Sequence, residues 1–226
     1  MRTLCALLTG LALATVAHAE DTEFWPEASL YKQLSETTRL YFDATYAKGK
    51  ESPVASLDAS AYMDFSIQPI YRPYLVSEDW QRNRYLWARL GYTRVSKTSL
   101  GTRELSEDRG VLALQARAPL PADVWLEGRA RADLRWISGS YSTRYRFRGE
   151  ISREFEVLRQ MTVPYVRGEW MYDTRYDAHS RSLYEAGVET KLTRHFRVEA
   201  YLAWQYDYQP DKDSLRAFGL VAKWYY

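Results

Sequence analysis

The chain has 226 residues, with 31 Lys+Arg against 29 Asp+Glu and a formal net charge of +2. A mean hydropathy of −0.49 excludes a bundle of membrane helices, each of which would need about 20 nearly uncharged residues. The near-neutral balance argues against a nucleic-acid partner, and an aromatic content of 15%, including 19 Tyr and 8 Trp, argues against disorder.

The N-terminus reads as a secretory signal. Arg2 supplies a positive start, Leu4 to Val16 an apolar run, and Ala17-His18-Ala19 a small-x-small cleavage site. The division expected is 1–19 as signal peptide and 20–226 as one domain, with the mature chain starting at Glu20. The one cysteine, Cys5, falls within the signal. The mature chain would then have no disulfide and no thiol chemistry.

From there the chain alternates with period two, the strand period. The segments in order are Trp25–Leu34, Thr38–Tyr46, Ser56–Ile67, Arg84–Arg94 and Gly110–Ala118, then Val124–Ile137 and Tyr141–Glu156. Thr162–Asp173, Ser182–Leu192, Phe196–Tyr208 and a last segment from Phe218 to Tyr226 complete the series. In Val124–Ile137 the charged Glu127, Arg129, Arg131, Asp133 and Arg135 oppose Leu126, Ala130, Leu134 and Trp136. Arg144, Arg146, Arg148 and Glu150 oppose Tyr145, Phe147 and Ile151 in the same way, with Arg153 out of phase.

Short turns are expected at Ser35-Glu36, Pro119 to Asp123, Arg159-Gln160 and Thr193 to His195. Longer loops are expected at Lys48 to Pro53, Lys97 to Asp108, Arg175 to Ser180 and Gln209 to Asp213.

A soluble β-sandwich would also alternate. Two features favour an outer-membrane barrel instead. One face carries both charge signs in dense rows, as a polar lumen would. Aromatic residues also cluster at segment ends, at Trp25, Tyr46, Tyr145, Tyr172 and Tyr206 and most clearly at Trp136, Trp170, Trp204, Trp224 and Tyr226. Rings with an apolar body and a polar tip suit the two bilayer interfaces.

The fold expected is therefore an all-β, transmembrane, antiparallel up-and-down barrel of about 10–12 strands. Eleven segments conflict with the usual even count. Adding Tyr71 to Ser77 gives twelve, the favoured count, and leaving Trp25–Leu34 outside the wall gives ten. The C-terminal aromatic strand looks like the assembly signal of bacterial outer-membrane barrels. The expected partners are outer-membrane lipid, lipopolysaccharide and the barrel assembly machinery, and the expected location is the outer membrane of a Gram-negative cell.

These residues resemble a family. Leu126 to Arg131, Arg144 to Arg148, Pro164-Tyr165-Val166 with Glu169, and Tyr184 to Glu189 are similar to the domain of unknown function 2490 family of bacterial outer-membrane proteins. The likeness covers the C-terminal half well and the N-terminal half loosely. It implies a barrel and supplies no activity.

The chemistry lies on the charged face. Arg129, Arg131, Arg135, Arg144, Arg146, Arg148, Glu150, Arg167, Glu169, Glu185 and Glu189 are the core of an expected lumen network, extended by Arg89, Arg117, Asp133, Lys191, Arg197, Glu199 and Asp207. Facing strands bring such side chains into pairing range. One reading is a plug of ion pairs, and the other is an anion-selective or sugar-binding pore lined by Arg and Tyr. An outer-leaflet lipid esterase would need a Ser–His pair, for which His179 with Ser180 or Ser182 is the candidate. No convincing catalytic constellation, metal set or cofactor motif is present in the sequence, so no enzyme is expected.

Overall fold

The computed structural model describes residues 22–48, 54–69, 84–99, 105–157, 160–209 and 212–226. The signal segment Met1 to Ala19, the start at Glu20 and the candidate strand Tyr71 to Ser77 lie outside these residues.

Twelve strand segments follow one another: β1 (Thr22–Gln33), β2 (Thr38–Lys48), β3 (Val54–Pro69), β4 (Arg84–Ser99), β5 (Leu105–Leu120) and β6 (Val124–Ile137), then β7 (Ser140–Arg153), β8 (Phe155–Val157), β9 (Gln160–Asp173), β10 (Ala178–Lys191), β11 (Phe196–Asp207) and β12 (Asp213–Tyr225). Consecutive wall strands pair antiparallel, and β9 pairs with both β7 and β10. The ring closes where β12 runs parallel to β1, from Thr22 opposite Arg216 to Tyr31 opposite Tyr225. The expected up-and-down barrel is thus a single closed sheet rather than a two-sheet sandwich.

The short β8 is the far end of β7. Ser152 pairs with Tyr165 and Phe155 with Thr162, so the register stays in step across the interruption. Pro164 stands at that break. Having no N–H to donate, it removes a ladder bond there.

Eleven strands therefore make the wall. The even-count argument does not describe this ring. An odd number of alternating strands leaves the first and last pointing the same way, and parallel pairing joins them. The ten-strand alternative is excluded, because β1 is in the wall with partners on both sides.

The link lengths also differ from expectation. β4 runs to Ser99 and β5 starts at Leu105, with Lys97 paired to Leu105, so most of the expected loop Lys97 to Asp108 is strand. Polar residues continue a ladder readily because the ladder uses main-chain groups. The β6–β7 link is the two-residue turn Ser138-Gly139, with φ of 50° and 84°. Positive φ at both positions suits the right-handed twist of a hairpin. At the other rim, Ala122 and Asp123 turn β5 into β6 with φ of 62° and 57°.

Period two sorts the side chains. Leu112 (48% exposed), Phe147 (56%) and Val166 (57%) project outward, while Asp133, Glu169 and Asp173 point inward with 1% or less exposure. Two interior rows show how the wall packs. Tyr225, Tyr31, Tyr41 and Tyr62 lie opposite one another on β12, β1, β2 and β3. Their rings stack at 4.6, 4.5 and 5.3 Å between centroids.

The second row alternates large and small: Tyr165, Gly187, Tyr201, Gly219 and Trp25. Each tyrosine ring lies over the neighbouring glycine. A Cβ on Gly187 would fall 2.6 Å from the Tyr165 hydroxyl oxygen, and one on Gly219 would fall inside the Tyr201 ring. Only glycine fits such a close approach.

This row corrects one assignment. Trp25 packs inward against the cluster of Tyr165, Leu183, Tyr201, Ala203, Ala217 and Val221, so it is no girdle residue. It shares the odd-numbered face of β1 with Ser29 and Tyr31, both buried. Trp136, Trp170, Trp204, Trp224 and Tyr226 stand on the outward register, the first three toward the Ser138-Gly139 rim and the last two at the C-terminal rim. Arg153 also faces outward near that second rim, its guanidinium 4.6 Å from the Phe155 ring.

The parallel seam can be tested directly. Ala28 and Ala222 are register partners. With Cys5 changed to Ser, Ala28→Cys with Ala222→Cys should form a disulfide on mild oxidation of the folded barrel, as Ala28→Cys with its β2 partner Ala44→Cys should. Free thiols at 28 and 222, with the 28–44 bond formed, would rule out this closure.

Candidate functional site

The barrel interior is built by the inward positions of all the wall strands. It encloses a cavity of about 350 Å³ whose lining is dominated by arginine, carboxylate and tyrosine.

Three ionic groups line the wall. In the first, Asp64 on β3 accepts from Arg39 of β2 at 2.6 Å and from Arg89 of β4 at 2.6 Å. The guanidinium of Arg39 lies 4.6 Å from the Tyr31 ring centroid, and that of Arg89 4.5 Å from Tyr41. The stacked tyrosines and this triad therefore support each other through cation–π contact.

The second group spans β3, β5, β6, β7 and β9. Arg135 pairs with Glu107 and Asp173, and Arg144 reaches Asp173 at 2.9 Å. Arg109 joins Glu107 at 2.6 Å and Asp58 at 3.6 Å. Glu169 accepts from Arg129, from Arg146 and from Arg148, the last at 2.9 Å. Asp133 pairs with Arg131 and with Arg146, the latter at 3.5 Å.

The third group lies on β9 to β12 and reaches Glu150 of β7. Arg167 pairs with Glu185, stands 3.4 Å from Glu199 and is 3.9 Å from Glu150. Glu189 accepts from Arg197 at 2.8 Å and from Lys223 at 2.6 Å, and Lys223 also contacts Glu199.

The reach of these pairs matters more than their number. Each joins positions on one strand, on neighbours, or on strands one apart in the ring, as in Arg129–Glu169 and Lys223–Glu189. The described network runs along the wall in arcs and leaves the cavity between them.

Its charge is also uneven. On β6 and β7, Arg129 faces Arg148 and Arg131 faces Arg146. On the opposite side of the ring, Glu27 of β1 and Asp43 of β2 are hydrogen-bonded by hydroxyls. The Ser29 hydroxyl lies 3.2 Å from Glu27 and 2.9 Å from Asp43, and Tyr41 donates to Asp43 at 2.9 Å. Both sets line the same cavity.

Arg39, Asp64, Glu107, Arg109 and Lys223 were not among the candidates from sequence. Their strands show fewer charges in a row, so the charged face is less plain there. The signal available was parity: Tyr62 and Asp64 share one face of β3, and Arg39, Tyr41 and Asp43 one face of β2.

His179 and Ser182 do meet, with Nε2 3.2 Å from the Ser182 hydroxyl. The same nitrogen lies 3.0 Å from the Arg181 carbonyl oxygen. A carbonyl only accepts, so that contact uses Nε2 as a donor, whereas accepting from Ser182 requires the other tautomer. Ser180 donates to the Met171 carbonyl at 3.2 Å.

No protein-family model and no curated protein matches the chain. Among solved structures, the chain is similar to the β domain of the Bordetella autotransporter Brka, at 17% identity and a TM-score of 0.51, over 82% of this chain and 83% of that one. That likeness shows the fold alone, a β-barrel.

Proposed function

We propose that the protein is an outer-membrane β-barrel whose interior is a narrow polar channel for small hydrophilic solutes. The observation that carries this reading is the two-faced wall. Leu112, Leu114, Phe147, Ile151 and Val166 are exposed on the outside, while arginine–carboxylate arcs surround a cavity of about 350 Å³ on the inside. An exposed apolar band around a whole molecule needs hydrocarbon, not water, as its surroundings. Aromatic residues toward both rims match the headgroup levels.

In this reading Met1 to Ala19 is the export signal, and the outward residues contact lipid and lipopolysaccharide. The C-terminal strand ending at Tyr226 is the segment read by the barrel assembly machinery. The resemblance to the domain of unknown function 2490 family supports the same placement.

Fractionation and conductance test it. The protein should co-purify with outer membranes and migrate faster on gels before boiling than after. In planar bilayers it should give small, discrete conductance steps in simple salts. Recovery as a soluble periplasmic monomer would sink the membrane reading, and electrical silence of the folded protein would sink the channel.

A further inference from the structure

We infer that the facing arginines of β6 and β7 form a binding site for a small free oxyanion of the phosphate or sulfate class. The inference rests on the reading that solutes reach the barrel interior.

Like charges placed directly opposite on neighbouring strands destabilise a sheet. Here two consecutive inward pairs are both arginine: Arg129 opposite Arg148, and Arg131 opposite Arg146. Among the described residues, the carboxylates in ion-pair contact with these four cations are Glu169 and Asp133. Four guanidiniums around two carboxylates put an excess of positive charge at this height of the wall, with Glu127 and Glu150 as the next carboxylates along the same strands.

The geometry of one side chain points the same way. Arg129 is 10% exposed, and its Nε is buried with no hydrogen-bond partner. A buried guanidinium N–H without a partner calls for an acceptor. All four arginines line that cavity. A guanidinium presents parallel N–H donors that match two oxygens of a phosphate or sulfate group.

The strip has limits as well. The next inward pair on these strands is Glu127 opposite Glu150, and Asp133 faces Arg144 on the other side. An anion would therefore be held at one height in the barrel rather than smeared along it. Across the ring, Glu27 and Asp43 offer an anion carboxyl groups rather than cations, which favours the arginine side.

The test is calorimetric titration of the detergent-folded barrel with inorganic phosphate and with sulfate, at constant ionic strength held by chloride. Saturable binding is expected. Arg129→Gln and Arg148→Gln should each weaken it at least about tenfold, while the exposed Arg94→Gln should leave it unchanged. Each variant is first checked for heat-modifiable migration, so that loss of binding is read only on folded protein. No saturable heat with either anion on the wild type, or unchanged affinity in the folded Arg129→Gln and Arg148→Gln variants, would overturn the site. The channel reading fails separately. Binding without conductance removes the channel and keeps the site, and conductance without binding removes the site and keeps the channel.

Discussion

Replacing Glu169 with Gln is expected to lower the unfolding free energy of the detergent-folded barrel by about 3–5 kcal/mol. Glu169 is 1% exposed and is the shared acceptor of Arg129, Arg146 and Arg148. The substitution keeps the shape but removes the charge, and turns one oxygen into a donor that faces donors. Three guanidiniums would then stand together with Asp133 as the nearest remaining paired carboxylate. Breaking a buried ionic group from one side is costly because the other side stays buried and charged. The exposed Arg94–Asp108 pair gives the contrast: its side chains are 54% and 38% exposed, and Arg94→Gln should leave the unfolding midpoint close to that of wild type. Urea titration of both variants reads the difference. Equal midpoints for Glu169→Gln and wild type would show that the cluster is held by hydration rather than by pairing.

The second large effect is expected at Gly219. Alanine there should cost about 1–3 kcal/mol, because its methyl would enter the space of the Tyr201 ring. At its base the same tyrosine is close to Gly187, where an added Cβ would lie 2.7 Å from the Tyr201 Cβ. In a double-mutant cycle, Tyr201→Ala should relieve most of the penalty of Gly219→Ala, since the clash needs both partners. Gly128→Ala is the control, because a Cβ there meets nothing within 4 Å. A Gly219→Ala barrel as stable as wild type, or additivity with Tyr201→Ala, would refute this packing.

Both effects arise from features that the sequence exposes to different degrees. The alternation of charged and apolar residues from Val124 to Glu156 marks strand, inward face and outward face at once, and β6 and β7 match it. The dense arginine rows were readable for the same reason. The N-terminal strands were less plain, because their inward face is built from Tyr31, Tyr41 and Tyr62 with isolated charges between them. Tyrosine suits an interface girdle, a stacked interior row or a core equally well, and composition does not choose among them.

Trp25 is the clearest case. It stands near a strand end, as a girdle residue should, yet its parity places it with Ser29 and Tyr31 on the inside. Pairing partners were out of reach altogether. Period two fixes which way a side chain points but not which strand lies beside it. The union of β1 with β12 depends on the total count of strands, a property of the whole chain.

That union has a kinetic consequence. Tyr31 and Tyr225 are register partners from opposite ends of the described chain, so their meeting closes nearly the longest loop available to it. Hairpins such as β6–β7, joined by two residues, can zip early, whereas the parallel seam must wait for every other strand. Until it forms, β1 and β12 are open edges with unpaired main-chain groups. Seam contacts made last are absent from the rate-limiting state for folding. Weakening them should speed unfolding while leaving the folding rate nearly untouched. The durability of the barrel would then be set at this one junction, by how slowly it unzips.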